Sequence, residues 1–321
     1  MQVPAACLVE PGKIETRNKK LEMTHDSLLV RIVGNGVCGT DVSYFAGHVP
    51  GLKYPRFFGH ESVGIVEEVG KNVEGFASGD LVTGGWGAYS SHVVVSKLQY
   101  TMQIPDHGSL SPEYIMGDPL QCIATIIRAA KPEFGDSVAV VGCGFMGLMC
   151  ISALAGRLVQ SLFAIDLIEE RLGRAAESGA VKTLNPVTDD VRDAILEATE
   201  GKGVDICIEA SGNASAVDLA ARILKKGRGR LVLGGFHPKP ASYDFLPWAI
   251  KGLEVINAHP NFSCDLMEDM RRGVIAQLEG VFPTEKLVTH RFTIEQTQDV
   301  FEAASERSTD YIKGVMVPET A

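Results

Sequence analysis

Along the first hundred residues, apolar positions come in short runs broken by glycine. "SLLVRIVGNGV", "SVGIVEEVG", "GDLVTGG" and "SSHVVVS" each carry β-branched residues and are bounded by turn formers. Runs of that length and spacing predict a mostly antiparallel β domain. The pattern changes at Asp118. "PLQCIATIIRAA" has helical spacing, and "DSVAVVGCGFMG" is a buried strand running into a glycine turn. Beyond it, "SLFAID", "VDICIEAS", "GRLVLGG" and "LEVINAH" are apolar strands separated by polar or helical segments, which predicts a parallel sheet with crossover helices. "DLMEDMRRGVIAQLEG" then spaces Leu266, Met270, Val274 and Leu278 as an amphipathic helix with one buried face. "KLVTHRF" and "YIKGVMVP" return to strand chemistry. An α/β unit, residues 122–257, therefore reads as inserted between two pieces of a β-rich domain, residues 1–121 and 258–321.

Composition narrows the class. A single core seldom grows past about 250 to 300 residues, so a chain of 321 residues suits two domains. A formal net charge of -10 repels polyanions, which argues against nucleic acid or an anionic membrane surface as partner and for a small molecule. No apolar stretch reaches the roughly 20 residues needed to span a bilayer. The seven cysteines form no even, closely spaced framework, and "MQVPAACLVEPGK" lacks the features of a signal peptide, so a reducing, cytoplasmic location is expected.

Two sets of residues carry candidate chemistry. "VAVVGCGFMG" fits a dinucleotide fingerprint, with Gly142 for the tight turn, Gly144 for close approach of a pyrophosphate, and Gly147 for helix packing. Phe145 and Met146 open the helix that follows. The next strand ends in Asp166, close to the spacing expected of the acid that binds the adenosine ribose hydroxyls. A carboxylate there repels a 2′-phosphate and favours NAD over NADP. The plainer alternative is a glycine turn in a ligandless sheet. The second set is Cys38 in "NGVCGTD" and His60 with Glu61 in "FFGHESVG". Taken singly, such residues are more often a small hydrophobe and a hydrogen-bonded histidine. Catalytic zinc, however, takes three protein ligands of these kinds and leaves one position open.

"CGTD" at 38–41, "GHE" at 59–61, "GD-V" at 79–82 and "GCGFMG" at 142–147, in that order, resemble the zinc-dependent medium-chain alcohol and polyol dehydrogenases. The nearest branch is that of the sorbitol and threonine dehydrogenases. The resemblance covers nearly the whole chain. It implies a GroES-like β-rich catalytic domain joined to a Rossmann domain, an α/β doubly wound parallel sheet.

It also implies that Cys38 and His60 bind the catalytic zinc and that Glu61 is a ligand or a carboxylate close by. The third ligand of the polyol branch falls in "GDPLQC", where Asp118 stands in place of the usual glutamate and Cys122 is a rival one helical turn on. Asp118-Pro119 also reads as a plain helix start. Where most members carry four cysteines around a structural zinc, this chain reads "TGGWGAYSSHVVV", so one zinc per subunit and no structural zinc are expected. Trp86 is either an aromatic wall of the substrate pocket or a core residue. Thr40 takes the family position that accepts the alcohol proton, or only shapes the turn. Ser43 stands where some members carry a relay histidine, with His48 out of register, and Asp41 steadies the loop. Arg171 flanks the adenine ribose or is a helix-surface charge. "EASGN" places Ser211 near the nicotinamide half, or simply closes a strand.

The implied activity is hydride transfer from a secondary alcohol, a sugar, polyol or cyclitol, to NAD, giving a ketone. An amino alcohol such as threonine or an aminocyclitol is the alternative on the same fold. A non-catalytic dinucleotide-binding protein is the alternative of a different class. By the same resemblance "LEVINAH" sits where relatives pair sheet edges across a dimer, and an exposed apolar edge strand is usually covered, so a homodimer or homotetramer is expected.

Overall fold

The computed structural model describes residues 1–156, 159–306 and 308–318. The chain divides into two compact units, Met1–Gln121 with Asp265–Ala321, and Cys122–Cys264. The return to the first unit thus falls at 264/265 rather than at 257/258. The reason is local: a single 3-10 turn, Pro260–Phe262, follows the last strand, and the next helix starts only at its cap, Asp265.

The first unit is built on a seven-stranded sheet. Its path runs His290–Phe292, Gly314–Met316, Leu28–Gly36, Glu61–Val69, Leu81–Gly85 and Thr101–Gln103, with His92–Val95 also pairing to Leu28–Gly36. The pairing Gly36↔Glu61 on one side and Gly36↔Val315 on the other sets three distant stretches of sequence side by side. A smaller sheet joins Lys13–Lys20, Gln2–Glu10 and Arg56–Phe57. Between the elements lies a core that includes Phe58, Tyr89 and Phe301, with ring centroids 5.1 to 5.5 Å apart and edge-on geometry. Such pairs add about 0.5–1.5 kcal/mol each beyond the area they bury, and here they fix the ring of Tyr89. The helix Leu266–Leu278 buries Met270, Gly273, Val274 and Gln277, while Leu266 and Leu278 are only half-buried.

The second unit is a six-stranded parallel sheet ordered Lys182–Leu184, Ser161–Ile165, Ser137–Val141, Ile206–Glu209, Arg230–Leu233, Glu254–Asn257. The strand order reverses at Ser137–Val141, which makes the carboxyl end of that strand the topological switch point. The helix after it, Phe145–Leu154, is apolar all round and almost wholly buried, as a helix covered on every side must be.

Candidate metal and dinucleotide sites

In the first unit, Cys38 follows the strand Leu28–Gly36 and caps the helix Gly39–Phe45, its Sγ accepting from the Thr40 amide at 3.4 Å. Thr40 and Asp41 lie in the first turn of that helix. His60 follows Gly59, whose φ of +109° is open to glycine and leads straight into the strand Glu61–Val69. Cys38 Sγ, a ring nitrogen of His60 and a carboxylate oxygen of Glu61 all lie within 4.8 Å of one another. Asp118, in the first turn of the helix Gly117–Ala130, brings Oδ2 to 3.9 Å from His60 Nε2. Gly85 makes room for it, since a Cβ there would come within 2.9 Å of Asp118 Oδ1.

The surroundings of these donors explain their orientation. Asp41, buried, lies 3.4 Å from His60 Nδ1 through Oδ1 and accepts from Tyr89 Oη at 2.9 Å through Oδ2. A carboxylate on Nδ1 leaves Nε2 for a metal, an arrangement common around metal-binding histidines. Glu61 pairs with the buried Lys313, whose Nζ also donates to the Val37 carbonyl at 2.9 Å. The sheet register brings this pair together, because Gly36 separates Glu61 from Val315, two residues past Lys313.

Electrostatics fit a cation at this place. Burial works against charge on His60, yet Asp41 and then Cys38 hold its pKa well above the ordinary histidine value. Burial pushes Asp118 up to about 6, His60 offsetting part of it and Glu61 adding to it. Groups that draw a proton so strongly also favour a metal ion, which competes with protons for the same donors. Thiolate, imidazole and carboxylate are the donor set of zinc. Among the described residues, no second group of cysteines accompanies them.

Other expected residues stand differently. Ser43 Oγ donates to the Gly39 carbonyl at 3.0 Å and is held within its helix. Trp86 belongs to the core of the first unit, 8% exposed, with no hydrogen-bond partner for its indole Nε1. Cys122 is half-buried and falls in the second unit. Tyr89 and Lys313 have no local sequence signal; only the register and core packing bring them to the site.

In the second unit, Gly142 has φ +96°, and a Cβ on it would meet the Ser211 amide nitrogen at 2.6 Å. A Cβ on Gly147 would overlap the Gly142 carbonyl oxygen, whereas one on Gly144 would meet nothing within 4 Å. The middle glycine thus faces open space at the head of the helix Phe145–Leu154, where the amides of Phe145, Met146 and Gly147 begin the helix. A helix start of this kind suits a pyrophosphate. Asp166 Oδ2 accepts from the Cys143 amide at 2.6 Å and Oδ1 from the Ile168 amide at 3.0 Å, so the acid is tied to the fingerprint turn. Arg171 lies in the first turn of the helix Glu169–Glu177. Ser211 turns its amide and hydroxyl to Glu209 Oε1, at 2.7 and 2.6 Å.

Comparison with known proteins bears on both units. The family model described as alcohol dehydrogenase GroES-like domain matches residues 24–106, and that described as zinc-binding dehydrogenase matches residues 146–271. The sorbitol dehydrogenase of Bacillus subtilis (strain 168) is 26% identical over 94% of this chain and 95% of its own length. The L-threonine 3-dehydrogenase of Caldanaerobacter subterraneus subsp. tengcongensis is 30% identical over 65% of this chain and 69% of its own length. Among solved structures, zinc dependent alcohol dehydrogenase 2 from Streptococcus pneumonia is similar with a TM-score of 0.87 and 25% identity, covering 99% of each chain.

Proposed function

The chain belongs to the zinc-dependent medium-chain alcohol and polyol dehydrogenases, and from that premise we propose that it oxidises a secondary alcohol of the sugar, polyol or cyclitol class to the ketone with NAD. The observation that carries the reading is the gathering of Cys38, His60 and Glu61 donors within 4.8 Å, with Asp118 beside His60. Similarity to a sorbitol dehydrogenase over most of the chain supports the polyol class. The threonine dehydrogenase at 30% identity supports an amino alcohol as the second reading. Asp166, a negative charge held at the fingerprint turn, supports NAD over NADP.

Zinc would supply Lewis acidity at this site and the dinucleotide a two-electron acceptor. Cys38, His60 and Asp118 are the residues we assign to the metal. Asp41 beside Nδ1 orients the His60 ring, so Nε2 would be the nitrogen offered to the metal. Glu61 stays close, but Lys313 already balances its charge, so it has less to offer a cation than Asp118. Thr40, two residues after Cys38, would accept the alcohol proton at Oγ1 while passing its own hydroxyl proton on toward the cofactor ribose. The exposed apolar residues Phe245, Leu246, Ile250 and Val255, on and around the sheet-edge strand Glu254–Asn257, support a homodimer or homotetramer. The seven free cysteines suit a reducing compartment such as the cytoplasm, and no helix among the described residues is long and apolar enough to cross a membrane.

Metal analysis combined with a substrate panel tests the reading. About one tightly held zinc per chain is expected, with Cys38→Ser abolishing alcohol-dependent NADH formation across polyols, cyclitols and amino alcohols. Full turnover by metal-free protein would overturn the zinc assignment, and a clear preference for NADP would overturn the role given to Asp166.

A further inference from the structure

Glu209 ends the fourth strand in sequence of the parallel sheet, Ile206–Glu209, and its side chain is fully buried. Oε1 accepts from the Ser211 amide, the Ser211 hydroxyl and the Gly212 amide, at 2.7, 2.6 and 2.8 Å. Oε2 lies 2.8 Å from His237 Nε2. A carboxylate only accepts, so Nε2 carries the hydrogen of this contact. When the ring is neutral, that leaves Nδ1 as an acceptor. Nδ1 makes no hydrogen bond among the described residues, and the side chain is 19% exposed.

Position gives the pair its meaning. The loop bearing His237 leaves the carboxyl end of Arg230–Leu233, and the amides of Gly234 and Gly235 donate to the Glu209 carbonyl at 2.8 and 2.9 Å. Ser211 is pressed against Gly142 so closely that a Cβ there would meet its amide nitrogen. A strip therefore runs from the fingerprint turn through Ser211 and Glu209 to His237, along the carboxyl edge of the sheet. Asp166 lies on the other side of the Ser137–Val141 strand, at the end of Ser161–Ile165. A dinucleotide laid across the switch point with its adenosine ribose at Asp166 has its nicotinamide half over the strip.

We propose that His237 positions the nicotinamide half of the dinucleotide, its Nδ1 accepting a hydrogen bond from the carboxamide N–H of the nicotinamide while Glu209 fixes the ring. The proposal rests on the dinucleotide-binding reading of this unit. Neither residue is among the gathered metal donors Cys38, His60 and Glu61.

The test separates staple from ligand contact. In H237Q the amide reaches Glu209 but puts no acceptor where Nδ1 stands; in H237N an oxygen replaces Nδ1 and the Glu209 contact is lost. By calorimetric titration, H237Q is expected to bind NADH about tenfold more weakly than wild type, the scale of one hydrogen bond. Its affinity for ADP-ribose, which lacks the nicotinamide, stays within about twofold. The 3-acetylpyridine analogue, a ketone without N–H, binds alike to both proteins. H237N keeps NADH affinity within about threefold but melts lower, because buried Glu209 Oε2 loses its donor. Unchanged NADH binding by H237Q, or parallel loss of ADP-ribose binding, would overturn the proposal by making His237 only a staple. Failure of wild type to bind NADH or ADP-ribose would overturn the underlying reading as well.

Discussion

Asp118 carries its carboxylate on an arm one methylene shorter than glutamate, in a setting where burial raises its pKa to about 6 from 3.8. A raised pKa in the folded state means that protonation favours folding: the contribution is complete below pH 3.8 and is lost as pH rises through about 6. The shift corresponds to about 3 kcal/mol. In metal-free protein, Asp118→Asn removes this cost, so its stability relative to wild type should rise by about 3 kcal/mol between pH 4 and pH 8. Denaturant titrations of the two proteins at both pH values measure it; parallel stabilities would refute the burial argument. Zinc binding should move the opposite way, with Asp118→Asn losing far more zinc than Glu61→Gln, since Lys313 already satisfies Glu61. Cys38, His60 and Glu61 were legible because each sits in a short motif. Lys313, separated from Glu61 by 252 positions, was not. Only strand register joins them, and register is set by side-chain faces and turns along the whole sheet.

At the scale of the element, the glycine turn makes separate demands at each position. Gly147 packs its backbone directly on the Gly142 carbonyl, and backbone cannot move aside for a methyl group. Gly144, with φ -75° and open space where a Cβ would stand, accepts alanine without a clash against the protein itself. Gly147→Ala should therefore destabilise the protein by about 1–3 kcal/mol and weaken dinucleotide binding. Gly144→Ala should leave stability within about 0.5 kcal/mol yet cost NADH affinity about tenfold or more, since the methyl group fills the approach to the phosphates. Melting curves and titrations of the two variants check the contrast; equal melting temperatures would contradict it. The turn was readable because glycine has a unique geometric use. The hairpin Gln2–Glu10 with Lys13–Lys20 was not, because "KIETRNKK" is polar on both faces and offers no apolar alternation. The helix Leu266–Leu278 was foreseen, but its buried stripe passes through Gly273 and Gln277 rather than through Leu266 and Leu278. Gly273 allows the Leu120 backbone to pack close, and a spacing of apolar residues alone cannot signal that.

At the scale of the whole molecule, one sheet edge bears on the proposed homo-oligomer. The parallel sheet of the second unit ends at Glu254–Asn257, a strand that pairs on one side only among the described residues, with Val255 exposed. Just before it, Phe245, Leu246 and Ile250 are each more than 60% exposed. Scattered apolar residues on a surface are ordinary, but an exposed edge strand preceded in sequence by a run of exposed aromatic and aliphatic side chains invites pairing with another edge. A second copy of the same chain offers an identical edge, and in the proposed homo-oligomer a two-fold axis would set the two edges against each other. A lysine at position 255 opposes that pairing by placing a charge near its own symmetry mate, as edge lysines do in monomeric sheet proteins. Val255 lies far in sequence from the zinc motifs and from the fingerprint turn, and it is exposed, so the substitution leaves the fold of each chain intact. Light scattering of wild type should give the mass of two or four chains, and Val255→Lys should shift it toward one, with zinc content and NADH affinity per chain changed less than about twofold. A wild-type monomer, or an assembly that survives the lysine, would show that this edge is protected in some other way.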